Sequence, residues 1–323
     1  MELKEQDSRL LGYLYHNARE PISKIAKETR LSREQVVYRI NKYLSEGIIR
    51  KFVTFFNYPK LGYNAFAVAL IKFTKPKYIE EFHKKLEKDD FWISKGLVSN
   101  KYDLSIQGIF KTEKEINEYF FNVTKEYSEA IEDVLIIKPY YTEMYPLKFL
   151  GNKRGDNMTI TDEQSEIIKL DDKDKKIMKA LEEDGRIKLV DIAKKAGISA
   201  ELALYKLRRL KKEEIIAGSR IMFDMNKLGY NYSLLSINLK NFSIENQNKL
   251  KEFANSNKHV NSLTLSLAKP NCFMQLFHKE HSIIKETIDE LKSLFTNESI
   301  SIDIILLNNE GEEINTLPFL ATL

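Results

Sequence analysis

The feature that most constrains this chain is an internal duplication. Tyr63 and Tyr230 lie 167 positions apart, and Asp7 and Asp174 keep the same separation. Identical residues recur between these limits without a gap, among them Arg19/Arg186, Ile25-Ala26-Lys27/Ile192-Ala193-Lys194, Ile48-Ile49/Ile215-Ile216 and Lys60-Leu61-Gly62/Lys227-Leu228-Gly229. A repeat of this length predicts two copies of one structural module.

The repeated stretch has the spacing of two short helices joined by a tight turn. Ile22, Ile25 and Ala26 would form the apolar side of the first helix. Ser32 and Ser199 are good N-caps for the next helix, and Gly197 suits a turn that needs positive φ. The inward residues of the second helix are spaced three and four apart, as expected for one buried face: Val36, Ile40 and Tyr43, with Ala203, Leu207 and Leu210 in the second copy. This pattern predicts a helix-turn-helix in each copy.

The outward face of the predicted second helix is polar and basic. In the first copy it carries Arg33, Glu34, Gln35, Tyr38, Arg39 and Lys42. From residue 19 to 51 there are nine Lys/Arg and four Asp/Glu, and 186–218 has the same count, so each stretch carries +5. The whole chain carries only +4. Basic charge is therefore concentrated where a helix-turn-helix would meet the phosphate backbone, which favours DNA binding over an ordinary solvated helix face.

The same residues resemble those of the Lrp/AsnC (feast/famine) transcriptional regulators. The resemblance rests on an ordered set of short motifs: Leu3-x-x-x-Asp7, Ile25-Ala26, Leu31-Ser32, Val36-x-x-Arg39-Ile40, Gly47-Ile48-Ile49 and Leu61-Gly62. The second copy matches with Leu170-Asp171-x-x-Asp174, Asp184-Gly185-Arg186, Ile198-Ser199 and Leu228-Gly229. The resemblance covers nearly the whole chain, as two fused copies where the usual family member has one.

The segment after each helix-turn-helix changes to a mixed strand and helix pattern. Residues 64–73 read as a strand that is apolar on both faces, and such a strand must be covered on both sides. Helical and strand patterns then follow to residue 137 in the order βαββαβ, and residues 234–307 repeat that order. This is the split βαβ pattern of a ferredoxin-like domain. The resemblance also implies an effector-binding and assembly domain here.

The predicted fold class is α+β, with two copies of a helix-turn-helix domain followed by a ferredoxin-like domain. We expect the first pair at 1–56 and 57–150, a linker at 151–167, and the second pair at 168–223 and 224–323. The linker prediction rests on the polar stretch 151–157, and 159–169 is compatible with an extension of the next helix.

Composition limits the classes of protein. Hydrophobic residues at 43% and charged residues at 30% are typical of a globular chain. Cys272 is the sole cysteine, which excludes an internal disulfide framework and fits a reducing cytoplasm. No signal peptide or membrane-spanning segment is recognisable, so we expect a cytoplasmic protein with no membrane partner.

The resemblance places an effector signal in the turn before the third ferredoxin strand. Relatives have a Gly and an Asp around Gly-x-x-Tyr-Asp, and the matching residues here are Ser99, Asn100, Tyr102 and Asp103. Ser99 replaces the Gly, whereas the second copy (268–272) has neither Gly nor Asp. A carboxylate can pair with the ammonium group of a free amino acid, so any amino-acid effector is expected in the first copy.

The two predicted recognition helices differ in where they carry charge. The N-terminal half of such a helix meets base edges, and the surrounding residues meet phosphates. The first copy would read bases with Arg33, Glu34, Gln35, Tyr38 and Arg39, with Lys42 and Arg50 on the backbone. In the second copy, Lys206 occupies the position of Arg39, and the charge moves toward Arg208 and Arg209 near the far end of the helix. We therefore expect the first copy to provide sequence specificity and the second to hold DNA non-specifically or contact protein.

The sequence also leaves alternatives to the regulator to consider. The chain has no phosphate-binding glycine loop, and Cys272, His278 and His281 lack the paired ligand spacing of zinc sites, so neither a metal nor a cofactor is expected. Sirohaem decarboxylases resemble the same family and occur as two-copy chains. Such an enzyme should supply convergent His and Arg residues for tetrapyrrole carboxylates, but the segments that directly follow Ile49 and Ile216 contain no His. A third alternative is an adaptor without DNA binding. We expect a non-enzymatic regulator that binds double-stranded DNA and forms a homodimer or higher oligomer.

Overall fold

A computed structural model describes residues 3–150, 158–161, 166–307 and 313–320 of the chain, with the backbone alone at 158–161. The first copy begins with α1 (Glu5–Asn17), α2 (Ile22–Thr29), α3 (Arg33–Ser45) and β1 (Ile49–Phe56). It continues with β2 (Ala65–Phe73), α4 (Lys77–Leu86), β3 (Trp92–Ser99), β4 (Leu104–Phe110), α5 (Glu113–Glu126) and β5 (Ile131–Ile137). Two further strands follow, β6 (Pro139–Met144) and β7 (Met158–Thr161).

The second copy repeats this order. It has α6 (Asp172–Glu183), α7 (Leu189–Ala196), α8 (Ala200–Lys212) and β8 (Ile216–Phe223). It continues with β9 (Asn231–Leu239), α9 (Ile244–Ser256), β10 (Val260–Ser266), β11 (Cys272–His278), α10 (His281–Leu294), β12 (Ile300–Leu307) and β13 (Glu313–Ile314). The predicted duplication and both predicted domain types are confirmed.

The region between the copies differs from the expectation. Strand β7 ends at Thr161 and residues 166–171 are not helical, so the described part of 159–169 does not extend α6, which begins at Asp172. An N-cap at Asp171, whose side chain accepts from the amide of Asp174, fixes that start. The polar stretch 151–157, on which the linker prediction rests, lies outside the described residues. The domain boundaries remain predictions.

Each helix-turn-helix is completed by residues of the other copy. The core around α1 to α3 includes Met225, Leu228 and Tyr230 from the segment that follows β8. The core around α6 to α8 includes the equivalent residues of the first copy, Tyr58, Leu61 and Tyr63. The two chain segments therefore cross, and neither DNA-binding core is built from a single copy.

Strands β1 and β8 form a two-stranded antiparallel ribbon, here called the ribbon, in which Val53 lies opposite Arg220. Reciprocal backbone bonds join the copies at its ends. The amide of Asn57 donates to the carbonyl of Ile215 at 2.9 Å, and the amide of Asp224 donates to that of Ile48 at the same distance. Because each bond has its counterpart 167 residues on, the copies are related by a pseudo-twofold axis that passes through the ribbon.

The ferredoxin-like sheets also exchange strands. Strand β6 leaves the first copy and pairs with β10, whereas β13 leaves the second and pairs with β3. One face of β2 packs on α4 and α5, and the other brings Leu70 against Phe273 and Ile305 of the second copy. The expectation that this strand is covered on both faces is confirmed, and the cover is the other copy of the same chain. Among the described helices, none has the length and apolarity needed to cross a bilayer.

Candidate nucleic-acid interface

The recognition helix α3 starts at a complete capping box. The hydroxyl of Ser32 accepts from the amide of Gln35 at 3.2 Å, and Oε1 of Gln35 accepts from the amide of Ser32 at 2.9 Å. Two amides at the start of the helix are thereby satisfied, which fixes where the helix begins. Arg30 adopts φ 56° at the preceding turn, the position that Gly197 occupies in the second copy with φ 66°.

The face of α3 that points away from the core carries the side chains predicted for DNA. Arg33, Glu34 and Gln35 are exposed in the first turn, and Tyr38 is 68% exposed one turn further on. Lys42 is half exposed at the end of the helix, 3.8 Å from Glu46, and Arg50 is exposed at the start of β1. The side-chain amide nitrogen of Gln35, Nε2, is available to a base, although the side-chain oxygen, Oε1, accepts a hydrogen bond in the capping box. We call these exposed side chains the α3 surface.

Arg39 does not belong to the α3 surface in the way the sequence suggested. Its guanidinium pairs with Asp7 and donates to Oε1 of Gln6 at 2.7 Å, so it ties α3 to α1. The hydroxyl of Tyr43 also donates to Asp7, and burial together with this bond raises the pKa of Tyr43. The sequence-based expectation that Arg39 points outward is therefore wrong, because the buried carboxylate of Asp7 draws its side chain toward α1.

The second copy uses its cations in the same way. Lys206 is buried, and its ammonium donates to Oδ2 of Asp171 at 2.6 Å and to Oδ1 of Asp174 at 3.1 Å. The hydrogen bond from Lys206 holds the pKa of Asp171 down to about 2. Arg209 also pairs with Asp174. Two of the three cations predicted for DNA are thus helix anchors, and Arg208 is the exposed one.

The sequence contains a signal for these ion pairs that is independent of the helical periodicity. Asp7 and Asp174 recur at the constant repeat separation, and so do the cations Arg39 and Lys206. An acid and a base repeated together on two different helices indicate an ion pair between them. Periodicity alone places residues on faces, and it does not show which exposed position lies next to a neighbouring helix.

The predicted effector turn is formed, but its polar groups are already bonded. Oδ1 of Asp103 accepts from Lys72 at 3.0 Å, and Oδ2 accepts from the amide of Phe73 at 2.8 Å. Asn100, with φ 94°, donates to the carbonyl of Ile304 in the second copy at 2.6 Å. Tyr102 is buried between the sheets, beside the exposed Ser99. An amino-acid ammonium at Asp103 would have to compete with Lys72, so the turn acts first as a brace between strands and between copies.

A second concave region lies between the ribbon and the two ferredoxin sheets. It has a volume of about 480 Å³ and is lined mostly by apolar and aromatic side chains from both copies. Among its described lining residues, Arg220 is the one that carries a charge and none is a histidine. We call this space the central cavity.

No cluster of three or more potential metal-ligating side chains occurs within the described part of the chain. Cys272 is buried in β11, and Nε2 of His278 lies 2.9 Å from the hydroxyl of Ser233. These contacts give both residues structural neighbours in the second ferredoxin-like domain. Trp92 is likewise buried, and its indole nitrogen donates to the carbonyl of Leu86 at 2.6 Å.

A family model described as winged helix-turn-helix DNA-binding matches residues 3–50 and again 170–217. An uncharacterised HTH-type transcriptional regulator of Pyrococcus furiosus is 30% identical over 120 residues, which cover 37% of this chain and 80% of the relative. The leucine-responsive regulatory protein of Rhizobium meliloti is 38% identical over 88 residues, covering 27% of this chain and 54% of that protein.

Among solved structures, the siroheme decarboxylase NirDL has the same two-copy fold. The match has a TM-score of 0.62 and covers 99% of this chain and 98% of that one, at 14% sequence identity. At this identity the similarity shows the fold alone. The sequence relatives carry the assignment, and each spans about one copy of the module. The chain belongs to the Lrp/AsnC family of helix-turn-helix regulators, as a tandem-duplicated member.

Proposed function

We propose that the protein is a cytoplasmic transcriptional regulator that binds double-stranded DNA sequence-specifically and has no enzymatic activity. The observation that carries the proposal is the arrangement of two basic helix-turn-helix domains in one chain, locked together by reciprocal contacts through the ribbon. Ordinary helix-turn-helix regulators reach this arrangement by pairing two chains, and their operators repeat the half-site accordingly. Here the two halves of the operator are expected to differ, because the two recognition helices differ.

The α3 surface supports base recognition by the first copy. Arg33 is able to bond guanine edges. The side-chain amide nitrogen of Gln35 and the hydroxyl of Tyr38 add further donors on the same exposed face. The second copy offers Ala200, Leu202 and the exposed Tyr205 at the matching positions, with Arg208 as an accessible cation. That set is suited to holding the backbone rather than to distinguishing bases.

The salt dependence of DNA binding tests the proposal. If about six phosphates are neutralised, a plot of the logarithm of the affinity against the logarithm of the salt concentration should have a slope of about −5. Lys42→Ala should reduce that slope by about one unit for every sequence alike. Lys114→Ala is the matched control, because Lys114 is an exposed lysine on α5 that pairs with Glu118 and lies outside both helix-turn-helix domains. Binding that is indifferent to salt would favour the adaptor.

The full-length fold match to a decarboxylase makes that enzyme the second candidate. A tetrapyrrole carries several carboxylates, and binding it calls for several converging cations or histidines. The central cavity offers one cation among its described lining residues, which favours the regulator. Titration with sirohaem, followed by visible absorbance, is expected to leave the spectrum of the free compound unchanged. A saturable spectral shift, followed by loss of carboxylate groups, would support the enzyme instead.

Assembly beyond the single chain remains a prediction. The copies already bury their ferredoxin-like sheets against each other within one chain. A compact particle is therefore expected whatever the oligomeric state, and a homodimer or a higher oligomer would add contacts outside this pair. Light scattering and small-angle scattering would distinguish these states, and a flexible particle with two independent halves would contradict the packing.

A further inference from the structure

The two ferredoxin-like sheets carry the same polar pair on the faces that they turn toward each other. In the first copy Ser94 lies opposite Gln107 across β3 and β4, and in the second copy Ser262 lies opposite Gln275 across β10 and β11. The serines are separated by 168 positions, and so are the glutamines, one more than the separation in the helix-turn-helix domains. The pair is therefore part of the repeat. We call these four residues the Ser–Gln pairs.

The Ser–Gln pairs border one shared space. All four residues line the central cavity, and all four also line a smaller cavity of about 80 Å³ between the sheets. Elsewhere the facing sheets close on apolar residues such as Leu70 and Ile305. Because both pairs border the same small volume, a single ligand placed there is able to reach both.

The hydrogen-bonding groups of the Ser–Gln pairs are unused within the described part of the chain. None of the four side chains bonds to another described residue, although Ser262 is only 5% exposed. Two other polar atoms of the cavity lining, Oδ1 of Asn64 and Oγ1 of Thr316, are buried and likewise lack a described partner. Buried polar groups are nearly always bonded to protein, water or ligand. The partner of these groups therefore comes from inside the cavity.

The cavity lining offers no available charge to a ligand. Arg220 is the one charged side chain among the described lining residues. Its guanidinium is already engaged by the cavity wall, 3.4 Å from the sulfur of Met144 and 5.0 and 5.1 Å from the rings of Tyr15 and Phe55. A charged ligand would lose its hydration here without gaining a free counter-charge, which is unfavourable. The lining thus selects for uncharged molecules.

We propose that the central cavity binds an uncharged organic molecule that carries amide groups and an apolar body. An amide places an N–H donor beside a carbonyl acceptor, and a glutamine side chain presents the complementary groups. The rings of Phe55, Tyr58 and Phe66 would enclose the body. The volume of about 480 Å³ lies within the range of ligand pockets, about 300–1,000 Å³. A cyclic dipeptide with apolar side chains has this chemistry, with two amides on opposite edges of one ring and no charge.

The position of the cavity gives such a ligand a regulatory role, and this step rests on the proposed DNA-binding function. The ligand would lie between the ribbon, which joins the two DNA-binding domains, and both sheets. A ligand that contacts all three bodies changes the free energy of their relative arrangement whenever it binds one arrangement better than another. DNA affinity would then respond to the ligand, and ligand affinity to DNA.

Calorimetric titration of the full chain without DNA tests the site itself. The probe is the cyclic dipeptide of leucine and phenylalanine, and the matched compound is its N,N′-dimethyl derivative, which keeps the ring and both carbonyls but has no N–H donor. The probe is expected to bind saturably and at least about tenfold more tightly than the derivative, because two hydrogen bonds are lost. The linear dipeptide, which is a zwitterion, should not bind at the same concentrations.

Methionine variants of the two glutamines test the Ser–Gln pairs directly. Gln107→Met and Gln275→Met keep the length of the side chain and remove its hydrogen-bonding groups. Each should weaken the probe by about three- to tenfold and reduce its advantage over the dimethyl derivative, with an unchanged circular dichroism spectrum. Gln6→Met is the matched control, since Gln6 is exposed on α1 and does not line the cavity. It should leave both affinities unchanged.

Three results would overturn the proposal: no binding of the probe at its solubility limit, equal affinity for the probe and its dimethyl derivative, or unchanged affinity in both glutamine variants. Repeating the titration on the complex with DNA separates the two levels. Binding of the probe with no effect on DNA affinity would leave the site standing and overturn its regulatory role. Absence of DNA binding would count against the proposed function alone.

Discussion

The two helix-turn-helix copies perform one structural task with different side chains. In the first, Asp7 accepts from Arg39 and from the neutral Tyr43, at a site with 11% of the Asp7 side chain exposed. In the second, Asp174 is fully buried and accepts from two cations, Lys206 and Arg209. Leucine replaces the tyrosine at position 210, and the second cation replaces its hydroxyl. The buried carboxylate is what the copies share, and its partners are free to differ.

The largest expected effect follows from this difference in burial. Asp174→Ala should destabilise the protein by about 3–5 kcal/mol, because it removes the fully buried carboxylate that pairs with both the buried Lys206 and Arg209. Asp7→Ala should cost about 1–3 kcal/mol, since Arg39 is able to turn toward solvent. Urea unfolding followed by circular dichroism measures both. Equal losses would show that burial does not separate the two anchors.

A second contrast lies at the end of α1. His16 is largely buried in the first copy, and the equivalent residue, Glu183, pairs with Lys195 near the surface. Burial first, and the positive charge of Arg220 second, lower the pKa of His16 to about 4. An unfolded histidine takes up a proton near pH 6.5. Neutral His16 therefore makes its full contribution to the free energy of unfolding above pH 6.5, and this contribution is lost as pH falls from 6.5 to about 4.

His16→Gln isolates this contribution from that of the carboxylates. A shift of this size corresponds to at most about 3 kcal/mol between the ends of the window. The variant should show a flatter loss of unfolding free energy than the native chain between pH 6.5 and 4, whereas Glu183→Gln should leave the slope in that window unchanged. Parallel curves for the native chain and His16→Gln would mean that His16 is protonated in the folded state.

The smallest expected effect per residue concerns DNA specificity. Arg33→Ala combined with Tyr38→Ala should reduce the preference for operator over random DNA by about 1–3 kcal/mol for each lost base contact. Tyr205→Ala combined with Arg208→Ala, in the second copy, should lower affinity for both DNAs alike. Competition binding with the two DNAs measures the ratio. If the second pair removes the preference and the first does not, the specificity lies in the second copy.

Much of the architecture could be predicted because local sequence patterns, such as hydrophobic spacing and helix caps, determine it. The strand at Ala65–Phe73 is apolar on both faces, and the helix at Arg33–Ser45 shows its core spacing and its cap. Strands β6 and β13 could not be found in this way, since they are stabilised by edges of the other copy's sheet. The same holds for Arg39, whose orientation depends on a carboxylate 32 residues away. Interactions between separate helices and strands determine these positions, and hydrophobic periodicity within one segment does not reveal such interactions.

The exchange of β6 and β13 between the sheets also changes how the association of the two copies depends on protein concentration. In a dimer of separate chains, dilution favours dissociation, and the melting temperature rises with protein concentration. Here the partner strand is attached to the same chain, so its effective concentration is set by the connecting segment and stays the same at any dilution. Two consequences follow for a protein that is present at low concentration. Its paired state persists at nanomolar levels, and each copy always meets the other rather than an identical one, which leaves the two copies free to diverge in sequence.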